Sequence, residues 1–370
     1  MTFTPSRRET LLGAASLLAA AGCSQSAPAP SPSLASLAAE KGLKFGTAMN
    51  SRQLSDPRYI DLVLKECAVI VAENEHKMYT IQPSPDAMDF SRGDALAAFA
   101  RENGLGMRGH TVVWHHPRWL PDWINNSVFG SAAEAEAELT RYINAVASRD
   151  QDVIYSWDVI NEAVDDQTGE LRETSYSRAM GGGAEVIDFC FRQTKEAAPN
   201  ATLAYNDYMS WEPGTQNHRR GVLRLLEELK KRGTPIDALG IQSHSNYGMP
   251  DEFTAERKRE WKAFVDEVVG MGLDIYLTEF DVNDTRLDPD PALRDRLIAT
   301  YTEEYLGMML DYPQTKDILL WGMVDKDSWL QTFLPRDDGV EKRPVPWDSD
   351  YQPKPMREAI ARALKAAPAR

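Results

Sequence analysis

Two glutamates in this chain end apolar runs in similar polar company. Tyr155-Ser156-Trp157-Asp158-Val159-Ile160-Asn161-Glu162-Ala163 puts an amide and a carboxylate at the end of a segment otherwise apolar, and Leu277-Thr278-Glu279-Phe280-Asp281 repeats the pattern. Either glutamate alone reads as a solvated charge or a salt-bridge partner at a strand end. Two together fit a more demanding chemistry, retaining hydrolysis of a glycosidic bond. That reaction needs two carboxyl groups facing each other at roughly 5–5.5 Å, one protonating the leaving oxygen while the other attacks the anomeric carbon. Asn161, beside Glu162, can donate to a sugar hydroxyl and stabilise the transition state.

A fold that brings the two glutamates together can be read from the pattern around them. From about Leu43 the chain alternates short β-rich apolar runs with helical stretches such as Ala132 to Ala147 and Arg219 to Arg232, the signature of a parallel sheet. The runs predict eight strands: Leu43 to Met49, Val69 to Glu73, Gly106 to Trp114, Ile154 to Asn161, Thr202 to Asp207, Ala238 to His244, Asp274 to Phe280 and Asp317 to Met323. Polar and aromatic residues gather where these runs end: Glu73 and Asn74, His110 and Trp114, Asn161 and Glu162, Asn206 to Tyr208, Gln242 and His244, Glu279 and Asp281, and Trp321. A closed (β/α)8 TIM barrel collects the carboxyl ends of all its strands on one face, where such clusters make one site. An open doubly wound sheet would show a Gly-rich phosphate turn after an early strand, and Gly181-Gly182-Gly183 does not follow one.

The composition of the 370 residues suits a single catalytic domain: 42% are hydrophobic, no repeat occurs, and no second composition regime follows residue 34. A net charge of -15 disfavours nucleic acid as a partner. With three cysteines the chain is no disulfide scaffold, and Cys67 and Cys190 are expected to be buried free thiols. No zinc ligand set stands out, His115-His116 reads as chance, and no cofactor is expected. Residues 1–23 read as a twin-arginine export signal, with Arg7 and Arg8 ahead of the apolar run Leu11 to Ala21. Residues 24–40 read as a disordered Pro/Ser/Ala linker, and 41–367 as the barrel. Ala21-Gly22-Cys23 leaves two fates open, a lipid anchor at Cys23 or soluble release, so the expected location is periplasmic, membrane-anchored or secreted.

Eight motifs, in order, give the chain from about 43 to 360 its resemblance to the glycoside hydrolase family 10 xylanases. They are Glu73-Asn74-Glu75-His76-Lys77, Arg108 to His115, Trp157 to Ala163, Tyr205-Asn206-Asp207-Tyr208, Gly240 to His244, Thr278 to Asp281, Trp321 to Trp329, and Tyr351 to Pro355. The resemblance implies an endo-1,4-beta-xylanase, with Glu162 as acid/base and Glu279 as nucleophile. It makes His244 the hydrogen-bond partner of Glu279, with Asp281 orienting His244. Glu73, Asn74, Lys77 and His110 would bind sugars on the non-reducing side, and Asn161 and Gln242 the substrate near the cleaved bond. Trp321 and Trp329 would wall the cleaved unit, and Tyr208 would stack on the leaving-group side. Trp114 falls among the substrate-binding residues, and it and Trp157 are expected to support the acid/base from behind. Xylan or xylo-oligosaccharides are the implied partners of a monomeric enzyme. A related β-1,4-glycanase, a xylo-oligosaccharide hydrolase and a non-catalytic surface glycan-binding protein are the alternatives.

Two departures from the family pattern stand out. The family usually has methionine before and tryptophan after the lysine matched by Lys77, where this chain has His76 and Met78. A glutamine usual soon after the tryptophan-histidine pair is Pro117 here. These changes are expected to weaken the exclusion of glucose.

Overall fold

Runs such as Val69-Ile70-Val71-Ala72 and Ala238-Leu239-Gly240-Ile241 leave no polar side chain for solvent, so they are stable only with both faces covered, as parallel strands between helices are. In the computed structural model, which describes residue 1, residues 31–247 and residues 253–370, they form β1 (Lys44–Met49), β2 (Val69–Ala72), β3 (Gly106–Trp114), β4 (Ile154–Asn161), β5 (Thr202–Asp207), β6 (Ala238–Ile241), β7 (His244–Asn246), β8 (Asp274–Asn283) and β9 (Thr315–Leu320). All pairings are parallel, in the order β6-β5-β4-β3-β2-β1-β9-β8, and a β6–β8 pairing closes the ring. Eight strands thus make the barrel, and β7 is a three-residue addition on β8. Helices run between the strands and form the outer layer of a (β/α)8 barrel.

Local chemistry sets the ends of these helices. Ser131 and Thr254 cap the helices Ala132–Ala147 and Ala255–Gly270 by accepting backbone N–H bonds, and Gly233, left-handed at φ 67, stops Gln216–Arg232. Most of the apolar core lies between the strands and this helical layer. The barrel's lower interior is partly polar. Arg108 is fully buried there, paired with Asp158, while Asp317 lies 4.0 Å from it and accepts from the Tyr155 hydroxyl.

The sixth predicted strand, Ala238 to His244, is in fact broken. Ser243 takes a left-handed φ of 63, so β6 stops at Ile241 and the chain restarts in β7 at His244. The last predicted strand runs earlier, Thr315–Leu320, and leaves Trp321 just past its end. The expected linker over 24–40 is also too long. Leu34–Ala39 forms a helix capped by Ser33, with Leu34, Leu37 and Ala38 buried and the Leu34 N–H donating to Glu66. Burying those apolar side chains outweighs the freedom of a tether. Arg7, Arg8 and Cys23 lie outside the described residues. Cys67 and Cys190 are buried and unpaired by disulfides, as expected.

Gly109 is a tight approach within the sheet: a Cβ there would lie 2.1 Å from the indole of Trp157, which is itself buried. Gly109→Ala should therefore destabilise the fold by about 1–3 kcal/mol through overpacking. Denaturant unfolding measures this, and a midpoint equal to that of the native chain would contradict the reading.

Candidate active site

Glu162 and Glu279 both lie at the carboxyl mouth of the barrel, at the end of β4 and within β8, and both are buried. Glu162 directly follows β4 in a left-handed conformation, φ 55, which turns its side chain off the strand axis at a cost of order 1 kcal/mol. Its backbone N–H is held by the Asn206 carbonyl at 2.9 Å, and the next N–H, of Ala163, donates to the Tyr205 hydroxyl at 3.2 Å. Trp114 Nε1 donates to one carboxyl oxygen of Glu162 at 2.9 Å. Gln242 Nε2 donates to the other at 2.8 Å, joined by Asn161 Nδ2 at 3.3 Å.

Side-chain amides tie the two carboxyl groups into one network. Asn206 Nδ2 donates both to Glu279 at 2.8 Å and to the Asn161 oxygen at 2.9 Å, and Gln242 Nε2 also reaches that oxygen at 3.2 Å. Thr278 donates to the Asn206 oxygen at 2.7 Å, fixing which way that amide faces. Gly240 makes room for this arrangement, since a Cβ there would lie 2.3 Å from Asn206 Oδ1.

The charged surroundings of the two carboxyls are opposite. His244 contacts Glu279 through Nε2 at 3.2 Å and Asp281 through Nδ1 at 3.0 Å, while the other Asp281 oxygen accepts from Trp329 Nε1 at 2.7 Å. His110 Nε2 stands 4.0 Å from Glu279, and its Nδ1 is held by Asp158 at 2.9 Å. Burial disfavours charge on Glu279, but His110, His244 and Lys77 prevail and hold its carboxyl at about 2. Burial also works against a cationic His244, yet Asp281 and Glu279 raise it to about 10, so both ring nitrogens donate. No cation hydrogen-bonds to Glu162, whose donors are all neutral. Burial pushes it up to about 7, against the Gln242 and Trp114 hydrogen bonds and with help from the charges of Asp207 and Glu279.

The remaining candidates line the same mouth. Lys77 donates to Asn74 Oδ1 at 3.1 Å, beside the Tyr79 hydroxyl at 2.9 Å, and its ammonium stands 4.7 Å from the Trp114 ring centre and 5.7 Å from that of Trp321. Burial lowers its basicity, although Glu279, Glu73 and Glu162 oppose the shift. Glu73 accepts from Asn50 at 2.9 Å. Trp321 and Trp329 pack against His244 with ring centres 6.2 and 4.8 Å away. Tyr208 lies on the Glu162 side, its hydroxyl accepting from Arg172 at 2.9 Å.

Three expectations need correction. Trp157 does not back Glu162. Its fully buried ring packs on His76, centres 5.3 Å apart, in a region lined by Phe90, Val146 and Arg149, because its strand position faces the helical layer. Trp114 alone makes that contact, through its indole N–H. Met78, expected to shape the wall around the sugar, sits in the apolar core at the start of the Met78–Ile81 helix, and His76 is buried with it. A side chain at helix position 78 points back into the core, so neither change borders the cleft. Pro117 is exposed, and its carbonyl accepts from Asn125. Asn206, Asp207, Thr278 and Tyr79 take part in the site although no role was expected of them; the strand-end cluster Asn206 to Tyr208 was the available signal. His115 is buried and donates to the Arg172 carbonyl at 3.2 Å, a structural use of that residue.

Two buried carboxyl groups driven to opposite protonation states at the mouth of a (β/α)8 barrel define a glycoside hydrolase. The chain belongs to glycosyl hydrolase family 10, whose model matches residues 33–363. It is 30% identical to Endo-1,4-beta-xylanase B of Paenibacillus barcinonensis over 84% of this chain and 92% of that protein. Endo-1,4-beta-xylanase A of Caldicellulosiruptor saccharolyticus is likewise 30% identical, over 87% of this chain and 92% of its own length. The chain spans only 44% of an Endo-1,4-beta-xylanase/feruloyl esterase of Xylanibacter ruminicola, at 29% identity. Among solved structures it is similar to xylanase 10B from Thermotoga petrophila RKU-1 in complex with xylobiose, with TM-score 0.79, 32% identity, and coverage of 90% of this chain and 97% of that one.

His244→Asn removes the cation between Glu279 and Asp281 and should raise the Glu279 carboxyl by about one pH unit or more. Carbon-13 NMR titration of labelled glutamate reads this directly. An unmoved Glu279 would show that His244 does not hold its charge.

Proposed function

We infer that this chain is an endo-1,4-beta-xylanase that cleaves xylan with retention of configuration, Glu279 being the nucleophile and Glu162 the acid/base. The observation that carries this reading is the opposed state of the two carboxyls, about 2 for Glu279 and about 7 for Glu162. At neutral pH Glu279 is ionised and free to attack the anomeric carbon, while a large share of Glu162 still holds the proton that the leaving oxygen needs. Once the glycosyl-enzyme has formed, Glu162 has lost its proton. It then takes one from water, which releases the sugar from Glu279. Asn161 bonds the hydroxyl beside the reacting carbon, and Asn74, Lys77, Glu73 and His110 hold the sugars on the non-reducing side. Lys77 and the indoles of Trp114, Trp321 and Trp329 give that side polar and flat surfaces suited to a sugar ring. Because Met78 is in the core, any relaxed exclusion of glucose rests on Pro117 alone.

The leader supports export: Arg7 and Arg8 precede a short apolar run that a receptor of folded proteins would read. The substrate, an extracellular polymer, fits that destination. Membrane association that depends on Cys23 would mark a lipid anchor, and free release would mark ordinary cleavage.

The pH profile and a leaving-group series test the assignment together. With the native chain, kcat/KM on an aryl xylobioside should fall as pH rises through about 7, where Glu162 loses its proton. Glu162→Ala should remove that limb. It should also spare the first step for leaving groups that need no proton, so that a glycosyl-enzyme accumulates. Equal loss on good and poor leaving groups, with no trapped intermediate, would overturn the acid/base assignment.

A further inference from the structure

His218 is a buried histidine on the Gln216–Arg232 helix, in the outer layer of the fold, and no role in hydrolysis follows from its place on that helix. Its Nε2 meets Asp207 Oδ1 at 3.0 Å, and its Nδ1 has no hydrogen-bond partner among the described residues. Asp207 is equally buried. Its second oxygen accepts from the Tyr205 hydroxyl, and that hydroxyl accepts the Ala163 N–H at 3.2 Å, directly after the left-handed Glu162. The chain of contacts therefore runs from an outer helix to the backbone turn that aims the acid/base.

We propose that His218 is a positioning residue for Glu162: through Asp207 and Tyr205 it steadies the turn at Glu162 and Ala163, and its charge offsets that of Asp207 in the field acting on the Glu162 carboxyl. This rests on Glu162 being the acid/base. The geometry leaves Asp207 few other charges to answer to. Arg172 also acts on this pair, but it pairs with Asp165 at 3.0 Å and Asp166 at 4.0 Å and donates to Tyr208. His116, half-buried, is held by its surroundings at about 4 and is neutral over the working range. From the other sides Glu162 faces the Glu279 carboxylate, the Lys77 ammonium, the Tyr208 phenol and the neutral donors Gln242, Trp114 and Asn161, none of which either substitution below removes. Tyr208 covers His218 with its ring, centres 4.6 Å apart, and keeps water from the pair. Burial and, more weakly, Arg172 disfavour a charged His218, but Asp207, helped by Asp166, overcomes them and raises it. A histidine here differs from a fixed cation. As pH rises and His218 gives up its proton, Asp207 is left uncompensated, so Glu162 holds its own proton to higher pH.

The sign of the effect differs between the two ends of the pair. His218→Gln keeps a side-chain donor but removes the charge, so Glu162 should titrate higher by about half a pH unit. Asp207→Asn keeps the shape and one acceptor oxygen but removes the negative charge, so Glu162 should titrate lower by about as much. Carbon-13 titration of labelled glutamate, with the Glu162 signal assigned by its loss in Glu162→Gln, reads both without substrate. The alkaline limb of kcat/KM on an aryl xylobioside should move the same way in each variant. Opposite shifts of the Glu162 titration establish the proposal. An unmoved titration in His218→Gln or in Asp207→Asn, or loss of activity with unmoved limbs in both variants, overturns it and leaves His218 a packing residue. Failure of the hydrolase reading would look different: the titrations would shift while the native chain released no sugar from xylan.

Discussion

The structure depends on keeping one carboxylate charged and another protonated within the same buried pocket. Burial alone would neutralise both. Glu279 escapes because His110, His244 and Lys77 lower it and Asn206 donates to it, while Asp281, itself held by Trp329, keeps His244 cationic. Glu162 receives only neutral donors and faces the negative charge of Asp207, so its proton survives towards neutral pH. Removing a single partner would leave an uncompensated buried charge, which is why the site is built from interlocked pairs.

The scaffold serves this chemistry by holding the partners still. Strand ends converge on one face of a closed barrel, and small backbone departures then aim the side chains: left-handed turns at Glu162 and Ser243, and Gly240 giving room to the Asn206 amide. The break at Ser243 sends Gln242 to Glu162 and His244 to Glu279 from neighbouring positions. One continuous strand could not place residues 242 and 244 against two different carboxyls so readily, because alternate residues share a face.

Much of this was legible in the sequence. Apolar runs ending in Asn161-Glu162 and Thr278-Glu279 carried both the barrel period and the paired carboxyls, and three predicted strands, Gly106 to Trp114, Ile154 to Asn161 and Thr202 to Asp207, match the structure end to end. What could not be read was orientation. Trp157 and Trp114 both lie in polar-aromatic motifs, yet one faces the helices and the other donates to Glu162, because strand irregularities between β3 and β4 decide which side of the sheet each residue meets. Met78 follows Lys77 in sequence, but the start of a short helix turns it into the core. Leu34 to Ala39 looked like the end of an Ala/Ser-rich tether, and only its neighbours in space, Glu66 among them, explain why it folds. His218 gave no signal at all from a helix that reads as ordinary.

The central claim is that Glu279 attacks carbon while Glu162 manages the proton, and the configuration of the first-formed product tests it most directly. Proton NMR during hydrolysis of xylohexaose by the native enzyme should show the β-anomer of the new reducing end appearing first, with the α-anomer growing only by mutarotation. Initial appearance of the α-anomer would mean a single displacement by water, and Glu279 would then not be the nucleophile.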